Sequence, residues 1–176
     1  MEAQGEGLTV AATEAPGAPR LPVFGHEPLS GHYRTRLETN GRIVVPSALR
    51  SPFVAAAQAH VLPRSAGTLW LLTPRAFDAL VDHLHADAKG LADPRMRSRL
   101  YMAAPKISID RQARLVVPPE MREKAGLHGE AEIVLAGAIE HIELWPADVW
   151  DEHEAPRLAD SDLSFEGFEG LPTGPA

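Results

Sequence analysis

Gly41-Arg42-Ile43-Val44-Val45-Pro46-Ser47-Ala48-Leu49-Arg50 returns later in the chain as Ala113-Arg114-Leu115-Val116-Val117-Pro118-Pro119-Glu120-Met121-Arg122. An acid-led turn precedes each copy, Glu38-Thr39-Asn40 in the first and Asp110-Arg111-Gln112 in the second. Acid, apolar run, proline and closing arginine therefore keep one spacing. A repeat of this kind marks a supersecondary unit that cannot bury its apolar face alone and completes a core with its second copy. The likeness continues outward. Leu69-Trp70-Leu71-Leu72-Thr73-Pro74-Arg75-Ala76-Phe77-Asp78 matches Ile142-Glu143-Leu144-Trp145-Pro146-Ala147-Asp148-Val149-Trp150-Asp151 after a one-residue slip between the halves. Both units end in an apolar strand-like run leading into a helix that opens on proline, where no amide donor is needed.

The periodicity predicts strands near 32–37 and 42–46, a short helix from Pro46 ended by Pro52, and strands near 59–64 and 68–73. A helix follows from Pro74, its apolar face formed by Phe77, Leu80, Val81 and Leu84. Asp93-Pro94 opens a linker helix, Asp93 as cap and Pro94 in its first turn, decorated by Arg95, Arg97 and Arg99 and stopped by Pro105. The second copy repeats the order: strands near 106–109 and 114–117, a helix from Pro119 to Gly126, strands near 131–136 and 139–145, and a closing helix. The chain thus divides into an N-terminal extension (1–31), a first repeat (32–85), a linker helix (86–104), a second repeat (105–153) and an acidic C-terminal tail (154–176). Gly, Pro, Ala and Glu dominate the extension, and acids with Pro and Gly dominate the tail, so both ends are expected to be disordered.

Net charge is −7, which taken whole argues against a nucleic-acid partner, but the acids sit at the ends. Residues 1–31 carry −3 and residues 151–176 carry −6, leaving +2 for residues 32–150. Within that middle, Arg34, Arg36, Arg42 and Arg50 face only Glu38, while Lys106, Arg111, Arg114 and Arg122 face only Asp110 and Glu120. Such a stripe suits a phosphate-binding surface, and equally a solvated face. Cysteine is absent, which removes disulfides, thiolate zinc sites and cysteine nucleophiles. No apolar run approaches the roughly 20 residues of a membrane span, and no basic-then-apolar leader opens the chain, so an unexported protein without a membrane partner is expected.

Glu38-Thr39-Asn40-Gly41-Arg42-Ile43-Val44-Val45-Pro46 resembles the signature of the AbrB-like, swapped-hairpin DNA-binding superfamily, an acid and a few variable residues before Gly-Arg, an apolar run and proline. Two such units, the Asp93-Pro94 linker and the Ile142-Glu143-Leu144-Trp145 strand resemble the MraZ family of transcriptional regulators, over about residues 29–153. The resemblance implies an α+β fold in which two βαββα repeats pair into one swapped-hairpin barrel with peripheral helices. It further implies a ring-shaped homo-oligomer, cytoplasmic and nucleoid-associated, that binds repeated boxes of double-stranded promoter DNA and represses a division and cell wall gene cluster. The family's DNA contact is the turn arginine, which falls here on Arg42 and Arg114. A two-stranded ribbon fits the major groove, and an arginine at its tip can bond a guanine edge with both ends of its fork. Arg34, Arg36, Lys106 and Arg111, further back, are assigned to phosphates. Glu38, Gly41 and Asp110 are assigned to shaping the turns. Ala113 stands where the first copy has glycine, and a residue that resists positive φ predicts a different second turn.

Other chemistry is weaker. His83 and His85 lie two apart on a helix and point to different sides, so surface histidines outweigh a metal site. Asp151-Glu152-His153-Glu154 reads as a solvated acidic helix end. Trp70, Trp145 and Trp150 fall at matching places in the repeats and are expected in core or subunit packing. No P-loop, dinucleotide fingerprint or nucleophile-base pairing appears, so no cofactor and no enzymatic activity is expected. Phe165-Glu166-Gly167-Phe168-Glu169-Gly170 makes the tail a solubilising segment or a dock for a protein partner. Three readings stay open: a ring-forming regulator, an AbrB-like antitoxin whose acidic tail binds a toxin, and an enzyme.

Overall fold

A computed structural model describes residues 27–86 and 94–160. Eight strands alternate with helices: β1 (His32–Leu37), β2 (Arg42–Val44), α1 (Ser51–Ala56), β3 (Gln58–Pro63), β4 (Leu69–Leu72), α2 (Pro74–Ala86), α3 (Pro94–Ala103), β5 (Lys106–Ser108), β6 (Arg114–Val116), α4 (Pro119–Lys124), β7 (Ala131–Ala138) and β8 (His141–Pro146). A closing helical run follows, α5 (Ala147–Val149), a π-helical turn (Trp150–Glu154) and α6 (Ala155–Asp160).

The repeats interleave. Six strands form one antiparallel sheet in the order β1-β7-β8-β4-β3-β5, and β2 pairs with β6 in a separate ribbon. The first strand of each half therefore lies against the third strand of the other, and the second and fourth strands pair with their own counterparts. Exchanging the halves turns the sheet order into its own reverse. Register agrees with a pseudo-twofold axis: Ile43 faces Leu115 at the middle of the ribbon, and Trp70 faces Glu143 at the middle of the sheet.

The main core lies between the sheet and the ribbon. Leu37, Ile43, Leu49 and Phe53 from the first half meet Leu115, Met121, Ile133 and Leu135 from the second, all buried. Burying such side chains contributes about 1.5–3 kcal/mol each, and both halves supply the side chains of this one core. The sheet's opposite face carries helices. Phe77 of α2 packs on Leu62 and Leu72, and Trp150 packs on Val134. Phe77 and Trp150 hold matching places, but Trp70 and Trp145 do not. Both indoles instead donate to the one carboxylate of Glu143, at 3.1 and 3.0 Å.

Several expectations need correcting. The anticipated barrel is not closed among the described residues: the six-stranded sheet keeps two edges, because each β1-β2 type hairpin diverges just past its turn, one arm joining the sheet and the other the ribbon. The helix expected from Pro46 to Pro52 instead begins at Ser51, with Pro52 in its first turn. Proline has no amide to close a bond and clashes with the carbonyl four residues back, so a helix cannot run through position 52 but can start there. The fold also extends past both expected ends. Leu29 is buried and exchanges backbone bonds with Ile139 at 2.8 and 2.9 Å, and α6 carries the helical run to Asp160. The Asp93 cap and the Phe165–Gly170 segment lie outside the described residues.

Candidate nucleic-acid interface

The β2-β6 ribbon has two faces set by the period of a strand. Ile43 and Leu115 point into the core, while Arg42, Val44, Arg114 and Val116 point outward. Arg42 lies opposite Val116, and Val44 opposite Arg114. The arginines are thus diagonal neighbours, about 7–8 Å apart at the backbone, with two exposed valines between them. Beside them a shallow cleft is lined by Ile107, Asp110 and Leu115 along with both arginines.

Each arginine is presented by a tight turn, and the two turns close alike. In the first, Gly41 N–H donates to the Glu38 carbonyl at 2.8 Å and Glu38 N–H to the Arg42 carbonyl at 2.9 Å. In the second, Ala113 donates to Asp110 at 2.9 Å and Asp110 to Arg114 at 3.0 Å. The turns also cross-link: Val45 N–H donates to the Ala113 carbonyl and Val117 N–H to that of Gly41, both at 2.9 Å. Gly41 has φ of +86° and Ala113 +61°. The expectation that Ala113 would alter its turn is therefore overturned. A left-handed alanine costs about 1–2 kcal/mol, which the shared bonds and the full burial of its methyl group offset.

Side chains finish the turns differently. Asp110 Oδ1 accepts from the amides of Gln112 and Arg114 at 2.8 and 3.0 Å, and its Oδ2 accepts from Arg114 Nε at 2.6 Å. The Arg114 amide first, and its guanidinium next, hold this carboxyl below the usual carboxylate range. In the first turn Asn40 does the bonding: its Oδ1 accepts from the Arg42 amide at 2.9 Å. Glu38 acts there through its backbone, its carboxylate standing 4.0 Å from Arg42 Nη1. Asn40 sits two residues before the amide it accepts from, the spacing of an Asx turn, whereas the longer Glu38 side chain forms such a bond poorly.

Both arginine side chains stay open to solvent, at 44% and 45% exposure. Exposed pairs of this kind are weak and screened by salt, so a base edge or phosphate can displace the carboxylate. The remaining basic residues are scattered. Arg34, on the outer side of β1, pairs with Asp151 of the closing helical run and lies 3.8 Å from Glu132; Arg36 pairs with Glu130 at 2.7 Å. Lys106 is exposed on β5, and Arg111 is exposed at the tip of the second turn. Among the described residues no three acids or histidines gather as a metal site, and no helix is long and apolar enough to cross a membrane.

Comparison with known proteins gives one answer. The family model described as "MraZ protein, putative antitoxin-like" matches residues 100–165. A protein named transcriptional regulator MraZ from Desulfosudis oleivorans is 32% identical over 135 residues, which covers 76% of this chain and 89% of the relative. Relatives of the same name from Leuconostoc mesenteroides and Clavibacter michiganensis are 29% and 27% identical, covering 78% and 80% of this chain and 94% and 97% of their own lengths. Identical at 32% of 135 aligned positions to a relative of which it covers 89%, the chain belongs to the MraZ family.

Proposed function

We propose that this chain is a transcription regulator that binds double-stranded DNA in a sequence-specific way, with the β2-β6 ribbon entering the major groove and Arg42 and Arg114 reading base edges. One observation carries the reading: two turns of matching geometry, related by the pseudo-twofold, present half-exposed arginines on one outward face of the ribbon. Each well-made bidentate arginine-guanine contact discriminates by about 1–3 kcal/mol. Arg36, Lys106 and Arg111 serve phosphates, and Arg34 joins them by leaving Asp151. The names of the relatives support the regulatory role. The interleaved strands support a swapped-hairpin unit, which we take to assemble with further copies into a ring on repeated promoter boxes of a division and cell wall cluster, in the cytoplasm at the nucleoid.

The test is to sequence DNA retained by the purified protein and titrate the recovered duplex with wild type and Arg42→Ala. Loss of preference over scrambled duplex in the variant, with steep salt dependence in the wild type, is the expected result. Equal affinity for both duplexes in the wild type would defeat the reading. The family description "antitoxin-like" favours a second one, in which the acidic end of the chain binds a toxin. Copurification of a small toxin, lost on deleting residues 161–176, would support it.

A further inference from the structure

Arg50 and Arg122 close the two matching decapeptides, and each reaches toward the turn of the other half. They arrive in different states. Arg122, on α4, donates from Nη1 to the Thr39 carbonyl at 3.2 Å, while its Nε is buried without a partner. A Cβ on Gly41 would stand 2.9 Å from that Nε and 3.1 Å from the guanidinium carbon. The guanidinium therefore occupies the space that the missing side chain leaves. Arg50 is exposed and shares a shallow cleft with Arg111 and Gln112, without a hydrogen bond to either among the described residues. Opposite Gly41, the second turn has Ala113, whose methyl group is buried.

The cause lies in the prolines. Pro119 opens α4, so the Pro118 carbonyl accepts from both Met121 and Arg122, each at 3.0 Å, and Arg122 sits on a formed helix. In the first half Pro52 delays the helix to Ser51, and the Pro46 carbonyl accepts from Leu49 at 2.9 Å. Arg50 is left at the helix start, in the cap position, whereas Arg122 lies within its helix. A buried guanidinium nitrogen without a partner weakens the fold. Its position against the turn that carries Arg42 points to a role in that turn.

We propose that Arg122 is a positioning residue for DNA readout: it holds the Thr39–Gly41 backbone from the opposite half, and so sets the direction in which Arg42 leaves the ribbon. One arginine is then presented by a clamped turn and the other by an unclamped one. A preset turn gives up less freedom on binding, which strengthens the contact it presents. The proposal rests on the DNA-binding reading above.

The recovered duplex is titrated with wild type, Arg42→Ala, Arg122→Ala, Arg122→Lys and the double variant Arg42→Ala/Arg122→Ala, while amide hydrogen exchange is followed without DNA. Arg122→Ala is expected to weaken specific binding about tenfold at an unchanged salt slope, since a residue that acts through the turn releases no counterion of its own. Lysine can still donate to Thr39 and recovers part of the loss. The double variant binds no more weakly than Arg42→Ala, because the two act through one contact. Exchange at Gly41 rises in Arg122→Ala, and exchange at Ala113 does not. Unchanged affinity, additive losses, a smaller salt slope or unaltered exchange at Gly41 would each overturn the proposal. Failure of the wild type to prefer its duplex counts against the DNA-binding reading and takes the proposal with it. Exchange at Gly41 separates the two failures, because it reports the clamp without DNA.

Discussion

The turn at Glu38–Gly41 and the turn at Asp110–Ala113 reach nearly the same backbone by different means. The first uses glycine, an asparagine bond to the Arg42 amide and a guanidinium supplied by the other half. The second uses a left-handed alanine with a buried methyl group and an aspartate that bonds both the amide and the guanidinium of Arg114. The backbone bonds are common to both, so they define the turn, and side chains decide what holds it. In the first turn the presented arginine is loosely paired and the backbone is gripped. In the second the arginine is gripped and the backbone has no such clamp.

The sharpest challenge to this contrast is to remove the arginines. Arg42→Ala and Arg114→Ala are each expected to cost about 1–3 kcal/mol of discrimination between recovered and scrambled duplex, and the pair together to abolish it in fluorescence anisotropy titrations. If only one substitution matters, the halves share an architecture and not a role. Next in size is the exchange of the turn residues. Gly41→Ala should destabilise by about 1–3 kcal/mol in urea unfolding, since the new Cβ would stand 2.8 Å from the Val117 carbonyl as well as against Arg122. Ala113→Gly should change stability by less than about 1 kcal/mol, the lost methyl burial offset by relief of the left-handed backbone. Equal effects at both sites would mean the Arg122 contact is incidental.

A smaller effect separates the side-chain bonds. Asn40→Ala should cost about 1 kcal/mol of stability by freeing the Arg42 amide, whereas Glu38→Ala should change thermal stability little, its side chain making only a long exposed pair. The smallest is acid titration of the second turn. The Asp110 carboxyl sits below its ordinary value of 3.8 when folded, so its contribution is complete above that value and disappears as pH falls through the lower folded one. Amide shifts of Gln112 and Arg114 followed by NMR should move together in that acid range. A midpoint at or above the ordinary value would remove Arg114 as the group holding Asp110 ionised.

Much of this was legible along the chain. Pro74 opens α2, and the apolar spacing of Phe77 and Val81 buries one face of it. The positions of β1, β5 and β6 also follow from local pattern, within a residue or two. Pro52 misled, because a proline stops one helix and starts another by the same missing donor, and only the competing turn at Pro46 distinguishes them. Glu38 misled by its position as the acid, although Asn40 stood at the spacing that an Asx turn uses. Arg122 stood out only as the arginine that closes the second copy, and nothing local pointed to its partner, Thr39, 83 residues away.

The order of residues alone establishes that the chain is a duplication, with an arginine after each acid-led turn and a helix after each fourth strand. Those features rest on neighbours within a few positions, whose backbone bonds and apolar periods are written in spacing. Which strand lies beside which, why the sheet keeps two edges among the described residues, and that Arg122 rather than Arg50 grips a turn were settled by folding. They depend on edges and cavities that exist only once the two halves have buried their apolar faces against each other.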